Sequence, residues 1–214
     1  MDLDLSNVWV LIPIGPREKY LPEVLETLHD YKGRVVIVNN MPNYTIYEDV
    51  HHLEDMGDIN ISRWWNVGFK YIREQGGRYV VVLNDDIRFK DWLPEALLRK
   101  LLELNGTICS VVGGGGAMFI MDLEDGIEAD EDLKWWCGDG DIFRQAYEAK
   151  GFCWFGPTDF QQLEPSVLTF STPRLKELAD QDLVTYRNKL AKLGKTDYYG
   201  QDQQTSNLLS RRTS

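Results

Sequence analysis

The sequence predicts an α/β domain in which helices flank a mostly parallel central sheet. Short apolar runs recur at 8–14, 35–38 and 79–83. Runs of this kind are typical of strands that are buried on both faces. Segments with helical spacing of apolar residues, at 20–31 and 63–74, separate these strands. Alternating strands and helices build parallel sheets through right-handed crossovers.

The remaining elements follow from spacing and from end signals. Ser62 is a good N-cap for the second helix, and Gly76 and Gly77 end it. We also predict strands at 59–61, 108–112, 117–121 and 167–170, helices at 92–104 and 139–150, and one or two helices within 174–193. We expect one domain over residues 1–205 and a flexible C-terminal tail over 206–214.

Composition limits the partners. The chain has 214 residues, 43% of them hydrophobic and 27% charged, which suits a single globular domain. Its net charge of −11 repels phosphate backbones and anionic lipid, so we expect no nucleic-acid partner and no docking on an acidic leaflet. The longest nearly apolar stretch, 107–121, is interrupted by four glycines, so we expect no membrane span.

The cysteines and the first residues indicate a compartment. Cys109, Cys137 and Cys153 are odd in number and widely spaced, which does not suggest a disulfide framework or a zinc site. The N-terminus has no basic segment ahead of an apolar one, so we expect no signal peptide. A reducing, cytoplasmic location fits these features best.

A polar turn follows the strand at 79–83. Asn84, Asp85 and Asp86 come directly after the apolar run. Open α/β sheets bind ligands at the carboxyl ends of their strands. Carboxylates there can hold a divalent cation that in turn binds phosphates. We therefore expect Asn84 and Asp85 to lie at a diphosphate and Asp86 to be the metal ligand; the alternative is an ordinary solvated turn.

A second acidic pair lies at the start of the helix predicted at 139–150. Asp139 is a candidate general base, because a carboxylate beside an acceptor hydroxyl can take its proton as the oxygen attacks a sugar carbon. An inverting displacement needs one such base opposite the leaving group. Asp141 would support it. The alternative is an acidic pair that only complements the helix dipole.

Aromatic and glycine residues border both clusters. Trp135 and Trp136 precede the proposed base, and indole faces make good platforms for the apolar faces of sugars; the alternative is a core role. Gly115 and Gly116 end a run of four glycines that would let a ligand approach the backbone closely; the alternative is a flexible turn. The run lacks the lysine of a P-loop, so nucleotide hydrolysis is not supported.

Taken in their order along the chain, the motifs resemble those of the family 2 glycosyltransferases of the GT-A fold, especially the small rhamnosyltransferase-like members. The resemblance covers residues 8–170. The motifs that carry it are a first strand ending at Pro13, a second ending at Asn39-Asn40, Asn66-Val67-Gly68, Leu83-Asn84-Asp85-Asp86, Asp130-Glu131, and Gly138-Asp139-Gly140-Asp141-Ile142 followed by Arg144.

The resemblance implies a single-domain, Rossmann-like GT-A enzyme. Such an enzyme transfers a sugar, with inversion, from a UDP-, dTDP- or GDP-sugar to a hydroxyl of a glycan or protein. It also implies Mn²⁺ or Mg²⁺ at Asp86 and catalysis by Asp139. The residues expected at the nucleotide are Pro13, Ile14, Asn39, Asn40 and Asn66.

Two departures from the family pattern leave alternatives open. Gly138 stands where the motif has a glutamate, and no histidine follows His52 to complete a metal site. Asp86, phosphates and water would then hold the metal. One alternative is a catalytically degenerate protein that binds a sugar nucleotide or glycan. The other is a sugar nucleotidyltransferase, although 15–19 is a poor version of its glycine-rich basic loop.

The chain has little room for a separate acceptor domain. We expect the acceptor to be bound by the segment after Gly151 or by a second subunit of a homo-oligomer. The central expectation is spatial: Asp86 and Asp139, which are distant in sequence, face one cleft.

Overall fold

The computed structural model of this chain describes residues 4–15, 19–88, 93–111, 115–155, 161–163 and 172–195. The strand predicted at 167–170 and the tail predicted at 206–214 lie outside these ranges.

The described strands form a seven-stranded mixed sheet. The strands are β1 (Val8–Ile14), β2 (Val35–Asn39), β3 (Val50–Glu54), β4 (Tyr79–Leu83), β6 (Ile108–Val111), β7 (Met118–Asp122) and β8 (Phe152–Phe155). Their order in the sheet is β3-β2-β1-β4-β7-β6-β8, and β7 runs antiparallel to both of its neighbours while the other pairs are parallel. Two short strands, β5 (Ile87–Arg88) and β9 (Gln161–Gln162), form a separate antiparallel pair.

Helices cover both faces of the sheet. They are α1 (Leu21–Glu26), α2 (Ile61–Glu74), α3 (Leu93–Glu103), α4 (Gly138–Ala149) and α5 (Pro173–Lys192). Side chains of β1 alternate between two cores: Val10 and Ile12 pack with α1 and α3, whereas Trp9 and Leu11 pack with α2 and α4. This alternation is the two-residue period of a strand buried on both faces. The predicted α/β fold class is confirmed.

Several local predictions are wrong, each for a physical reason. The strand expected at 59–61 does not form: the Asn60 side chain accepts a hydrogen bond from the backbone N–H of Arg63 and caps α2, which therefore begins at Ile61 and not after Ser62. The strand that follows β2 is β3, whose half-exposed edge sequence gives no apolar run. The α-helix expected over 20–31 ends at Glu26, with a 3-10 turn at His29–Tyr31.

The C-terminal region is simpler than expected. The one or two helices predicted within 174–193 are a single helix of 20 residues, which the Thr172 side chain caps. In the part of the chain that the structure describes, no helix is both long and apolar enough to cross a membrane.

Candidate active site

The ends of β1 and β2 bring four predicted nucleotide-binding residues together. Pro13 and Ile14 lie in register with Val38 and Asn39, and the backbone N–H of Asn40 donates to the carbonyl of Ile14 at 3.4 Å. The Asn39 side chain closes its own turn, because it bonds the backbone N–H and the carbonyl of Met41 at 2.7 and 3.0 Å. These residues therefore lie together at the carboxyl ends of two neighbouring parallel strands, which is where open α/β folds bind ligands.

The second asparagine of this edge braces the loop after β3. The Asn40 amide donates to the backbone carbonyls of Asp55 and Gly57. Arg63 also holds this loop through a two-pronged ion pair with the Asp55 carboxylate, with 2.5 Å between Nε and Oδ2. The hydrogen bond and the ion pair raise the pKa of Arg63 against a smaller opposing effect of burial. The amide of Asn40 thus acts on the loop rather than standing exposed in the cleft.

The acidic turn after β4 is fixed from both sides. The backbone N–H of Asn84 donates to the carbonyl of Ala117 at 2.9 Å. On the other side, the N–H of Leu163, just after β9, donates to the carbonyl of Asp86 at 2.8 Å. Asp86 is buried, at 6% exposure, and Asp85 is half-buried. The backbone of the turn that carries Asp85 and Asp86 is therefore held between the short segment that precedes β7 and the residue after β9.

The proposed base lies against that same segment. A Cβ added to Gly116 would lie 2.6 Å from the Cβ and 2.7 Å from the Oδ2 of Asp139. Only glycine permits an approach this close. Gly116 is the neighbour of Ala117, which bonds Asn84, and both belong with Gly115 to one 3-10 turn. The two acidic regions, which β4 and α4 contribute separately, thus border one turn.

The glycine that departs from the family motif has a steric reason. A Cβ at Gly138 would lie 2.6 Å from Ser62 Oγ and 3.2 Å from the ring of Trp65. The Ser62 hydroxyl is itself fixed, because it donates to the carbonyl of Leu133 at 2.6 Å. The close packing of α4 on α2 leaves no room there for a glutamate side chain.

The two tryptophans before α4 have different surroundings. The ring of Trp135 lies 3.8 Å from the position of a Cβ on Gly15, which places the indole over the end of β1. Trp136 is the more exposed of the pair, at 39%. Both backbone N–H groups donate to one oxygen, Oδ2 of Asp182, at 2.5 and 2.7 Å. The tryptophans are therefore not both core residues, and α5 fixes the peptide that carries them.

Asp141 belongs to an interior ion network. Its carboxylate is fully buried and accepts hydrogen bonds from Arg144, Gln145 and Lys189. Lys189 also pairs with Asp130. This position fits a supporting role for Asp141 rather than direct contact with an acceptor.

The network shifts the ionisation of its members. Burial opposes ionisation of the Asp130 carboxyl and by itself would raise its pKa. The hydrogen bond from Lys189 and the other contacts of this carboxyl together outweigh burial, so the pKa is lowered. Burial likewise opposes the charge of Lys189, and its bonds to Asp130 and Asp141 nevertheless raise its pKa. Burial, then the charge of Asp141 and more weakly that of Asp139, raise the pKa of Tyr186, which stays a neutral phenol.

The motif at 66–68 has a structural explanation. The Asn66 amide donates to the carbonyl of Ala129 and to the Glu131 carboxylate, and its oxygen accepts from the N–H of Ala129. A Cβ at Gly68 would lie 2.3 Å from a methyl carbon of Leu11, so the glycine allows α2 to pack directly on β1. The Asn66 side chain therefore bonds the segment 129–131. It holds the segment that leads to Asp139.

The ligand chemistry suits a metal that is shared with a substrate. Within the described ranges, no group of three or more histidine, cysteine, aspartate or glutamate side chains could enclose an ion. His51 and His52 lie in β3, where they bond the hydroxyls of Tyr71 and Tyr44. Mg²⁺ is commonly held by one or two carboxylates together with substrate phosphates. Asp86, with Asp85 beside it in sequence, would be the carboxylate part of such a donor set.

Sequence reasoning missed two residues of this region, Asp182 and Lys189. Both lie in α5, and each contacts the segment around Asp139 from more than forty residues away. An aspartate or lysine in the middle of a polar helix carries no local signal. A weak hint was their spacing, since residues seven apart share one face of a helix.

Comparison with solved structures supports the fold. No family model matches the chain, and no curated protein matches its sequence. TarS from S. aureus matches with a TM-score of 0.56 at 16% identity, over 76% of this chain and 37% of that one. TarS 1-349 in complex with UDP-GlcNAc matches with a TM-score of 0.52 at 14% identity, over 73% of this chain and 60% of that one.

A mannosyltransferase gives the same result. The mannosyltransferase PcManGT from Pyrobaculum calidifontis, in complex with GDP-Man and Mn²⁺, matches with a TM-score of 0.55 at 15% identity, over 72% of this chain and 55% of that one. The chain spans less than two thirds of each of these proteins. The chain shares the α/β GT-A fold of these neighbours, one of which is a mannosyltransferase.

Proposed function

We propose that this chain is an inverting glycosyltransferase that moves a sugar from a nucleoside diphosphate sugar to a hydroxyl acceptor. The observation that carries the proposal is the contact of Asp139 with Gly116, beside the turn that bears Asp85 and Asp86. A base and a diphosphate site on either side of a sugar carbon are what a single inverting displacement needs.

The sugar nucleotide would bind along the ends of β1, β2 and β4. Pro13, Ile14, Asn39 and Asn40 would line the nucleoside, and Asn84, Gly115 and Gly116 would lie near the diphosphate. The neighbours support this class of ligand, because TarS was solved with UDP-GlcNAc and PcManGT with GDP-Man. UDP-, GDP- and dTDP-sugars are therefore the first candidates.

Asp86 would hold Mn²⁺ or Mg²⁺ together with the phosphates, with Asp85 beside it. When bound, the ion would neutralise charge on the departing diphosphate. The presence of Mn²⁺ in the complex of PcManGT supports the use of a divalent ion.

Asp139 would take the proton of the acceptor hydroxyl. Its contact with Gly116 restrains the carboxylate, and a restrained base loses less orientational freedom when the acceptor arrives. Trp136, which is 39% exposed close to the base in sequence, would contribute an apolar surface to a glycan acceptor. Transfer to a protein hydroxyl remains the second acceptor class.

The second candidate is a protein that binds a sugar nucleotide or glycan without turning it over. Two observations favour it: the described residues contain no three-ligand metal cluster, and the sequence has no histidine after His52. A metal held by few protein ligands binds weakly in the absence of substrate, and a degenerate enzyme would not need it.

Turnover with a panel of sugar nucleotides separates these candidates. A glycosyltransferase releases nucleoside diphosphate from UDP-, GDP- or dTDP-sugars with Mn²⁺, faster when an acceptor glycan or peptide is present. A nucleotidyltransferase instead releases pyrophosphate from a nucleoside triphosphate and a sugar phosphate. Binding without either product supports the degenerate protein and contradicts our proposal.

The base is tested by Asp139→Asn. We expect transfer to fall by about a hundredfold or more, as for loss of a general base. Asp132→Asn is the matched control, because Asp132 is an exposed aspartate only a few residues away. Unchanged transfer in Asp139→Asn would remove Asp139 as the base.

A further inference from the structure

A buried carboxylate on α5 holds the peptide that leads into the proposed base. Asp182 is 2% exposed, and its Oδ2 accepts both consecutive N–H groups of Trp135 and Trp136, at 2.5 and 2.7 Å. Burying a charged group is costly unless hydrogen bonds compensate it. Hydrogen bonds to a charged acceptor are roughly twice as strong as neutral ones. The pair of bonds is therefore a firm connection between α5 and this peptide.

The peptide held in this way determines where α4 begins. Cys137 follows directly and adopts a left-handed backbone conformation, with φ of 64°. This conformation is uncommon for a residue other than glycine. Gly138 is then the first residue of the helix and Asp139 the second. A shift of the 135–136 peptide would consequently move the first turn of α4, and with it the carboxylate that rests against Gly116.

The same face of α5 makes two further contacts around the base. Tyr186, one turn after Asp182, packs in a small core with Leu133 and Cys137. Lys189 then binds Asp141, on the first turn of α4, at 3.0 Å. Residues spaced in this way lie on one side of a helix. The helix α5 thus contacts the chain both before and after Asp139.

We propose that Asp182 is a positioning residue for the Asp139 base. The proposal rests on the glycosyl transfer proposed above. Asp182 acts through the Trp135–Trp136 peptide: its carboxylate fixes the turn, the turn fixes the start of α4, and α4 holds the base. A misplacement of about 1 Å at a reacting group can lower a rate by about a hundredfold. The contact of Asp182 with the Trp135–Trp136 peptide can therefore affect the rate of transfer although Asp182 does not touch the reacting groups.

The test compares three variants for which kcat is measured per nucleotide-binding site, counted by titration with UDP or GDP and Mn²⁺. In Asp182→Ala we expect kcat to fall at least tenfold while nucleotide affinity changes less than threefold. Asp182→Asn retains a carbonyl oxygen that can accept both N–H groups, so it should recover much of the loss. Asp180→Asn is the control, because Asp180 is an exposed aspartate on the same helix whose carboxylate pairs with Lys176.

Amide exchange supplies a readout that does not depend on turnover. The N–H groups of Trp135 and Trp136 should exchange faster in Asp182→Ala than in the parent and Asp180→Asn. If Asp182→Ala does not fold, Asp182→Asn carries the test: its weaker acceptor should raise exchange at both amides and lower kcat severalfold. Equal kcat per site despite faster exchange overturns the proposal, as does a loss confined to nucleotide affinity.

The two proposals fail in distinguishable ways. A parent protein that binds UDP or GDP but turns over no sugar nucleotide contradicts the proposed function, whatever the variants do. An active parent whose Asp182→Ala variant has the same kcat per site contradicts only the role of Asp182.

Discussion

Gly116 and Asp139 lie so close together that a single added carbon would clash. A Cβ at Gly116 would be 2.6 Å from the Cβ and 2.8 Å from the Cγ of Asp139. Because the adjacent Ala117 bonds the backbone of Asn84, this contact brings the start of α4 to the turn that carries Asp86. The expectation that the two acidic regions face one cleft depends on it.

Gly116→Ala should impair transfer by displacing the base. The methyl group meets the side-chain root of Asp139, which cannot swing away as the tip of a long side chain could. We expect kcat to fall by on the order of a hundredfold, as measured by steady-state kinetics at saturating sugar nucleotide and Mn²⁺.

The double variant supplies the control for Gly116→Ala. If the methyl group acts through Asp139, adding it to Asp139→Asn should cause little further loss, since coupled residues are not additive. Two independent losses that multiply in the double variant would show that Gly116 acts on something other than the base.

Asn66→Ala should affect stability rather than nucleotide binding. It removes the bonds that hold Ala129 and Glu131, so the free energy of unfolding should fall by about 1–3 kcal/mol. Asn66→Asp should lose at least as much, because it keeps the acceptor for the N–H of Ala129 but places a carboxylate oxygen against the Ala129 carbonyl and the Glu131 carboxylate. Denaturant unfolding and UDP or GDP titration measure the two effects. A tenfold loss of affinity without a loss of stability would support the nucleotide role that the family resemblance implies.

Lys189→Met should destabilise the protein in a pH-dependent way. Its ammonium group bonds Asp130 and the fully buried Asp141, and we expect a loss of about 1.5–3 kcal/mol at neutral pH. Lys192→Met, at an exposed position of the same helix, is the control, and its effect should stay within about 0.5 kcal/mol.

The pH range follows from the direction of each shift. The pKa of Asp130 is lowered from 3.8, so its stabilising contribution is complete above that value and is lost as the pH falls through the lower, folded value. The pKa of Lys189 is raised from 10.5, so its contribution is complete below 10.5 and is lost as the pH rises through the higher, folded value. The difference between parent and variant should be constant at intermediate pH and shrink in acid and in strong base. A difference that is largest in acid would contradict the assignment.

The sequence predicted the parts of the fold that local pattern controls. The buried strands β1, β2 and β4 were predicted because apolar runs mark them. The edge strand β3 was missed, since Val50–Glu54 contains two histidines and is only half-buried. The antiparallel direction of β7 also lay beyond local pattern, because strand direction depends on how the chain returns through space.

In the candidate site, too, some residues could be predicted from local motifs and others could not. Asp86, Asp139 and Gly116 were chosen from short motifs, and the structure brings the last two into contact. The functions assigned to these residues stay predictions. The bonds of Asn66 and Asp182 to backbone groups could not be predicted, because those groups lie 63 and 47 residues away and leave no mark on composition or spacing.

The most direct test of the central claim measures nucleotide affinity and transfer rate together in Asp86→Asn and Asp139→Asn. We expect the first variant to be defective in nucleotide binding and the second in the rate of transfer. Asp86→Asn should weaken Mn²⁺-dependent binding of UDP or GDP by at least tenfold, whereas Asp139→Asn should bind as the parent does and lose about a hundredfold or more in transfer. Two results would contradict the claim that Asp86 serves nucleotide binding while Asp139 serves catalysis in the same cleft. One is an equal loss of nucleotide binding in both variants, and the other is sugar transfer by Asp139→Asn at the rate of the parent.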